Sequence, residues 1–495
     1  MTHARDTLSH QILRQVHSPA NVILLVAVLL SLVVSVHDGH APLEPAVILG
    51  IVAANVGLAV GFERRAVRDV EGLSGKAAAR LVPPDSAQRL QPPMRRRLVH
   101  VVHVMSAVAA VGALALLVLE LHGHEDAWAI ALVTASLAVA AVPEVLLLIV
   151  TLTLRRGARE LGRSGALVRR LSLVETLGSV SVLCVGNPDL LPFAEAARDL
   201  GVEVLSLTGG EKDRVAVVRA WQERGRVVAL VGASEQDVAA LCAADVGVAS
   251  GGACPSARAA ADVVLAGGDL APVVAAMRSG RDVFLSVRRT VSYLLVSNLS
   301  EVAVMVLAAL VGWPVPLTPV TLLLINLVGD GVPGVFLARD REGGSPGPQR
   351  REEGYFSPEL VADTAQQVMA FTAVGMAAYA LGAFVWLPGG PSPSEGAAAS
   401  MCFLVMALTS VLHAFTVRTR GSVLRRTVAD NKPLVAACVG VGVFFSALVL
   451  VQPLAAVFGL AAVGAADWAA CVTLALVPVL VHEVAAALRR RRRAA

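Results

Sequence analysis

Three carboxylates sit inside apolar stretches of this sequence, each beside a second oxygen donor or a break in the chain. In VAAVPEVLL (139–147) Pro143 precedes Glu144; in SNLSE (297–301) Asn298 and Glu301 stand three apart; in NLVGD (326–330) Asn326 and Asp330 stand four apart. Spacings of three and four put both members of a pair on one helix face. Pro143 lacks an N–H and frees backbone carbonyls in the preceding turn. An ionisable side chain near the centre of a bilayer costs roughly 2.5–3.5 kcal/mol, so each carboxylate needs a proton, a cation or polar partners. The chemistry suggested is the holding of an ion or a proton inside a membrane.

The rest of the sequence supplies that membrane. Of 495 residues 56% are hydrophobic and 16% charged, with a mean hydropathy of +0.68, which excludes an ordinary soluble globular protein. Apolar runs of roughly 20 residues, the length that crosses a bilayer, are predicted at 20–36, 42–62, 99–121, 128–154, 291–312, 317–337, 362–386, 397–417, 433–453 and 467–487. The connections around 37–42, 122–127, 313–316, 387–396 and 454–466 contain no Lys or Arg, whereas the others carry Arg64-Arg65, Arg95-Arg96-Arg97, Arg155-Arg156, Arg350-Arg351, Arg425-Arg426 and the run Arg489 to Arg493. By the positive-inside bias, both termini and every basic segment are predicted on the cytoplasmic side of a plasma-membrane protein. The polar first 18 residues lead into a full-length span, so no signal peptide is expected. The basic tail reads as an anchor for topology and lipid headgroups, not as a nucleic-acid site. The six cysteines (Cys184, Cys242, Cys254, Cys402, Cys438, Cys471) show no CxxC spacing, which argues against disulfides and a zinc site.

Residues 157–290 form the one cytoplasmic stretch long enough for a domain. SVSVLCV (179–185), VEVLSL (202–207), RVVALV (226–231), ADVGVA (244–249) and ADVVLA (261–266) read as short strands, with helical patterns at 193–200 and 211–224 between them. This alternation predicts a parallel sheet covered by helices. Polar chemistry in such folds gathers at the carboxyl ends of the strands. Gly186, Thr208-Gly209-Gly210 and Gly232-Ala233 fall there.

In order and place, VAAVPE (139–144), LVRRLSLVETLGSVSVLC (167–184), ADVGVASG (244–251), YLLVSNLSEV (293–302) and LLLINLVGDGVPG (322–334) resemble the P-type ATPases of the cation-transporting, calcium-pump-like group. The resemblance implies an α-helical polytopic membrane protein of about ten transmembrane helices with one cytoplasmic haloacid-dehalogenase-like (Rossmannoid) α/β domain. In that family the strand matching 179–185 ends in DKTGT, whose aspartate accepts the phosphoryl group of ATP. Here the five positions are Gly186, Asn187, Pro188, Asp189 and Leu190. Glycine cannot form an acyl phosphate, and Asp189 lies three residues on, without the neighbouring lysine. The family's TGDGVND loop becomes Val231 to Asp237, with Ala233 in place of the magnesium ligand and Asp237 retained; its TGD becomes Thr208-Gly209-Gly210, so Gly210 replaces a carboxylate, and the lysine expected before the loop aligns with Arg214. Without those carboxylates little would hold magnesium. Leu191-Pro192 runs on where a nucleotide-binding domain is inserted in the family, and 63–98, without a TGE loop, stands in place of the actuator domain. The resemblance therefore implies a pseudo-ATPase with neither ATP nor magnesium as cofactor.

The membrane motifs are kept. The family pattern implies that Glu144, Asn298, Glu301, Asn326 and Asp330, with the backbone carbonyls of Val139, Ala140 and Val142, ligate one cation; all are oxygen donors, suited to calcium, magnesium or manganese. Gly329 replaces a family threonine, Val145 a glycine, and 397–417 lacks the carboxylate of two-site calcium pumps, so at most one site is expected. The organisation expected is 1–62 (N-terminal segment and spans one and two), 63–98 (cytoplasmic remnant), 99–156 (spans three and four), 157–290 (phosphorylation-domain-like α/β domain), 291–338 (spans five and six), 339–361 (cytoplasmic linker) and 362–495 (spans seven to ten and basic tail). His37, Asp38, His40, His122, His124, Glu125 and Asp126 lie on expected external loops and read as solvated residues, because no closed set of ligand spacings appears.

The expected partners are the lipid bilayer, a cation or proton and another transporter or membrane protein, with no nucleic acid. Passive conduit, ion sensor and regulatory partner of a transporter all remain open. The alternatives are an active pump with displaced catalytic residues, and an interaction protein whose intramembrane polar groups are interhelical glue.

Overall fold

The computed structural model describes residues 173–267, 269–338, 340, 358–387, 390, 392–419, 422–423 and 431–494, the strand Ala166–Val168 and scattered helical positions before it. Glu144, Val139, Ala140 and Val142, the stretch 63–98, the loop histidines and most of the first four expected spans lie outside the described residues.

The α/β domain begins with β1 (Ala166–Val168) and α1 (Leu173–Gly178), then alternates β2 (Val182–Val185), β3 (Glu203–Ser206), α2 (Glu211–Glu223), β4 (Val228–Gly232), α3 (Val238–Ala243), β5 (Val246–Ala249), α4 (Pro255–Ala260) and β6 (Val263–Leu265). The sheet order is β1-β6-β5-β4-β2-β3, parallel except for β1, which runs antiparallel to β6. All five strands expected from β-branched runs are present; β1, three residues long, was not expected. Both faces of the sheet are buried, as the alternation along each strand requires. Leu183, Val185, Ala229 and Val231 face one apolar cluster, and Val182, Cys184, Val228 and Leu230 face the other. The expected helix at 193–200 is instead a short α-turn, Leu191–Ala194, followed by a 3-10 turn, Glu195–Leu200.

Six helical segments among the described residues are long and apolar enough to cross a bilayer. They are α5 (Ala271–Val311); α6 (Pro319–Leu324), which continues through a π-helical turn (Ile325–Asp330) into α7 (Gly331–Leu337); α8 (Pro358–Phe384); α9 (Glu395–Thr416); α10 (Lys432–Leu450); and α11 (Ala465–Ala494). They coincide with the last six expected spans. The fifth differs in one respect: α5 starts twenty residues before its apolar run and extends for 41 residues. At 1.5 Å per residue that is about 60 Å, twice the hydrocarbon thickness. Its first half belongs to the α/β domain, so one unbroken rod joins domain and bundle.

The joint is a glycine crossing. A Cβ on Gly280 of α5 would meet the backbone of Val174 and Gly178 in α1, and one on Gly178 would meet the backbone of Gly280 and Arg281. Arg281, 2% exposed, donates from Nε to the Gly178 carbonyl at 3.3 Å and from Nη1 to the Leu200 carbonyl at 2.7 Å. Backbone cannot step aside as a flexible side chain can. Gly280→Ala is expected to cost about 1–3 kcal/mol by overpacking, read as a lower melting temperature of the full chain.

At the domain end of the bundle, Asp340 is gripped by Arg418, with Nε to Oδ2 and Nη2 to Oδ1 both at 2.9 Å. Arg289 of α5 stands 3.5 Å from Oδ2. Asn431, the N-cap of α10, donates from Nδ2 to the Phe336 carbonyl at 3.2 Å and caps the Leu434 N–H at 3.1 Å. One carboxylate thereby ties α5, α7, α9 and α10.

Candidate intramembrane ion site

The sixth span changes its winding where its polar residues lie. A π-turn widens the helix by one residue and is frequent at functional sites; here it contains Asn326, Gly329 and Asp330. It packs against α5 and α9. The α5 side of the contact presents a stripe four residues apart, Tyr293, Ser297 and Glu301, with Asn298 beside it. Glu301 and Asp330 have no solvent exposure (0%), and Asn298 and Asn326 are nearly as deep.

One carboxylate oxygen of Asp330 accepts from the Ser410 hydroxyl of α9, and the Ser410 and Ser297 hydroxyls lie 3.4 Å apart. Tyr293 Oη donates to the Gly329 carbonyl at 3.1 Å. The Glu301 carboxylate lies beside Asn326 and within electrostatic reach of Asp330. Even so, both oxygens of Glu301, both amide atoms of Asn326 and Oδ2 of Asp330 are buried without a hydrogen-bond partner of normal geometry among the described residues. Leaving such atoms unpaired costs about 1–3 kcal/mol each, more for charged groups, a cost that a proton or a cation would relieve.

Three of the five expected side-chain ligands, Glu301, Asn326 and Asp330, are thus brought together, and Asn298 stands three residues before Glu301 on α5. Among the described residues no group of three or more His, Cys, Asp and Glu is close enough to hold a metal ion; the oxygen set here is two carboxylates and an amide. Ile149 packs against Gly334 of α7, where an added Cβ would lie 2.7 Å from the Ile149 Cδ1.

Tyr293, Ser297 and Ser410 were not singled out from the sequence. The four-residue polar stripe on α5 was the available signal; Ser410 sits among Thr409, His413 and Thr416 on α9, and nothing in their spacing sets it apart.

The loop ends of the sheet hold a second arrangement. Gly186, buried at the end of β2, donates its N–H to the Val231 carbonyl at 2.8 Å. A Cβ there would collide with the Asp237 carboxylate, and a Cβ on Gly232 would lie 2.6 Å from Asp237 Cβ. Asp237 is 2% exposed. Its Oδ2 accepts from the N–H groups of Ala233 and Ser234, both at 3.0 Å, and from the Ser234 hydroxyl at 2.8 Å. Its Oδ1 is paired with Arg214 Nη1, whose Nε donates to the Gly209 carbonyl at 3.2 Å. The two residues expected as survivors of a catalytic loop therefore hold each other, in the space beside Gly186. Asn187 and Pro188 turn away at the surface, where the Asn187 side chain accepts the Asp189 N–H at 3.0 Å and Asp189 is exposed. The Gly210 N–H is taken by Asp213 Oδ2 at 3.1 Å.

Burial alone would raise the Asp237 pKa, but the Ser234 N–H and hydroxyl, the Ala233 N–H and the Arg214 charge outweigh it and hold it below the usual carboxylate range. A carboxylate depressed on folding stabilises fully above its unfolded value, about 3.9, and that stabilisation fades as pH falls through the lower folded value. Asp237→Asn is expected to lower the melting temperature at neutral pH and to flatten its fall in acid, measured as melting temperature against pH. Cys184, in β2 two residues before Gly186, is pushed up to about 12 by burial and the nearby Glu203 charge, so it is an inert packing thiol.

Six long apolar helices define a multi-pass membrane protein, with a cluster of buried oxygen atoms at the π-helical turn of one of them. Residues 314–488 match the family described as "Cation transporting ATPase, C-terminus". The chain is 28% identical over 269 residues to a calcium-transporting ATPase of Bacillus subtilis, covering 54% of this chain and 30% of that protein. It is 30% identical over 292 residues to calcium-transporting ATPase 1 of Bacillus cereus, covering 55% and 32%. Over 130 residues it is 35% identical to a protein of Toxoplasma gondii named P-type sodium-transporting ATPase4, covering 26% and 10%. The chain is thus homologous to calcium-transporting P-type ATPases over its C-terminal membrane region, and the matched stretch spans about a third of the length of the two bacterial relatives.

Proposed function

We infer that this protein is a non-hydrolysing relative of cation-transporting P-type ATPases that binds one hard divalent cation, or protons in its place, within its helical bundle. The bundle has ten spans, lies in the cell membrane with both termini cytoplasmic, and carries a haloacid-dehalogenase-like domain reduced to its sheet and flanking helices. The observation that carries the reading is the cluster of buried Glu301, Asn326 and Asp330 atoms without partners of normal geometry. As ligands these oxygens suit calcium, magnesium or manganese. The filled space beside Gly186 supports the loss of phosphoryl transfer: the nucleophile position has neither a side chain nor room for one. The ion has no driven cycle, so the protein acts as a passive conduit, a sensor or a partner of another transporter.

A second reading, inert interhelical glue, draws on the Ser410–Asp330 hydrogen bond. Calorimetric titration of calcium, magnesium and manganese into the detergent-purified full chain separates the two, beside the Glu301→Gln/Asp330→Asn variant. Saturable heat lost in the variant is the result expected; identical isotherms would establish the glue.

A further inference from the structure

Hydroxyls inside helices commonly bond back to the carbonyl four residues earlier on their own helix, and several on α5 and α9 do so. Thr290 Oγ1 donates to the Ser286 carbonyl at 3.0 Å, Ser300 Oγ to that of Val296, and Thr409 Oγ1 to that of Val405 at 2.6 Å. Ser410, the next residue on α9, breaks the pattern. Its side chain is 1% exposed, and its hydroxyl crosses to the sixth span, where it takes Oδ1 of Asp330. The Ser297 hydroxyl of α5 stands 3.4 Å behind it.

The backbone beside Asp330 is fixed as well. Tyr293 of α5 donates to the Gly329 carbonyl at 3.1 Å, and its ring is braced against α9 by the stack on His413, with 5.6 Å between centroids. Ser410 and His413, three apart, share one face of α9. Asp330 is therefore held by its main chain from α5 and by its side chain from α9.

This grip makes the two carboxylate oxygens unequal. Oδ1 is engaged, whereas Oδ2 is buried without a partner of normal geometry among the described residues. A carboxylate limited to one oxygen serves a six-ligand octahedron, as magnesium demands and manganese adopts. Calcium takes about 6–8 oxygens and accepts a carboxylate through both of its oxygens at once.

We propose that Ser410 is a positioning residue that sets ion preference: by engaging one oxygen of Asp330 it leaves the carboxylate a single oxygen for the cation and disfavours calcium relative to manganese. The inference rests on the cation-binding reading above.

The test is calorimetric titration of manganese, and separately of calcium, into the detergent-purified full chain and its Ser410→Ala, Ser410→Thr and Thr409→Ala variants. Ser410→Ala should lose about tenfold in manganese affinity, the scale for removing a hydrogen-bond partner of a metal ligand, while calcium affinity holds. The ratio of the two affinities then moves toward calcium by the same factor. Ser410→Thr keeps the hydroxyl and should restore the native ratio. Thr409→Ala, which removes a hydroxyl bonded within α9, should leave the ratio unchanged. A purely structural role for Ser410 would weaken both ions alike. Saturable binding to the native chain with an unmoved ratio in Ser410→Ala would overturn the assignment of Ser410 and leave the cation site standing. No saturable binding of either ion to the native chain would overturn the cation site and the assignment with it.

Discussion

Asp340→Ala is expected to lower the unfolding free energy of the full chain by about 3–5 kcal/mol, the scale for stranding one partner of a buried ion pair. The change leaves Arg418, 3% exposed at its side chain, facing a vacancy, and weakens the anchorage of Arg289. Charge is the larger part of the loss, so Asp340→Asn, which keeps the shape, should recover only a fraction. Replacing both partners, Asp340→Ala with Arg418→Leu, should cost less than Asp340→Ala alone, because an apolar substitute for a buried pair is often neutral. Urea or thermal unfolding of these variants and of Arg418→Leu alone measures this, and additive losses would show that the pair does not couple the helices.

Gly186→Asp, which writes the family's nucleophile back into the loop, should produce no phosphoenzyme. The new side chain would start inside the Asp237 carboxylate, and two carboxylates would compete for one arginine in a buried space. A loss of about 3–5 kcal/mol is expected, as for an uncompensated buried charge. Incubation with labelled ATP and magnesium followed by acid precipitation should leave the variant unlabelled, as it should the native chain. Label on the native chain that disappears on replacing Asp189 would establish a working pump with displaced residues.

The strands were legible because short Val-rich runs between turn residues have few alternatives. β1 was not: Ala166-Leu167-Val168 becomes a strand only by pairing antiparallel with β6, a tertiary fact with no local signature. The start of α5 was hidden because its first turns carry Arg278, Arg281 and Asp282, and the search was for unbroken apolarity. The intramembrane carboxylates stood out by spacing and cost, since a carboxylate in an apolar run must be explained, whereas their grouping into one ligand set came from the family resemblance. The π-turn that aims it was not legible, because one extra residue per turn leaves the composition unchanged. Arg214 and Asp237 were each found by position in a motif, but only packing reveals that they neutralise each other beside Gly186.

The central claim is an ion cradle uncoupled from ATP, and the most direct measurement is calorimetric titration of calcium into the purified full chain, with and without magnesium-ATP. One saturable event with the same affinity in both conditions is predicted. An affinity that shifts with ATP, accompanied by acid-stable phosphate on the chain, or no saturable event at all, would contradict it.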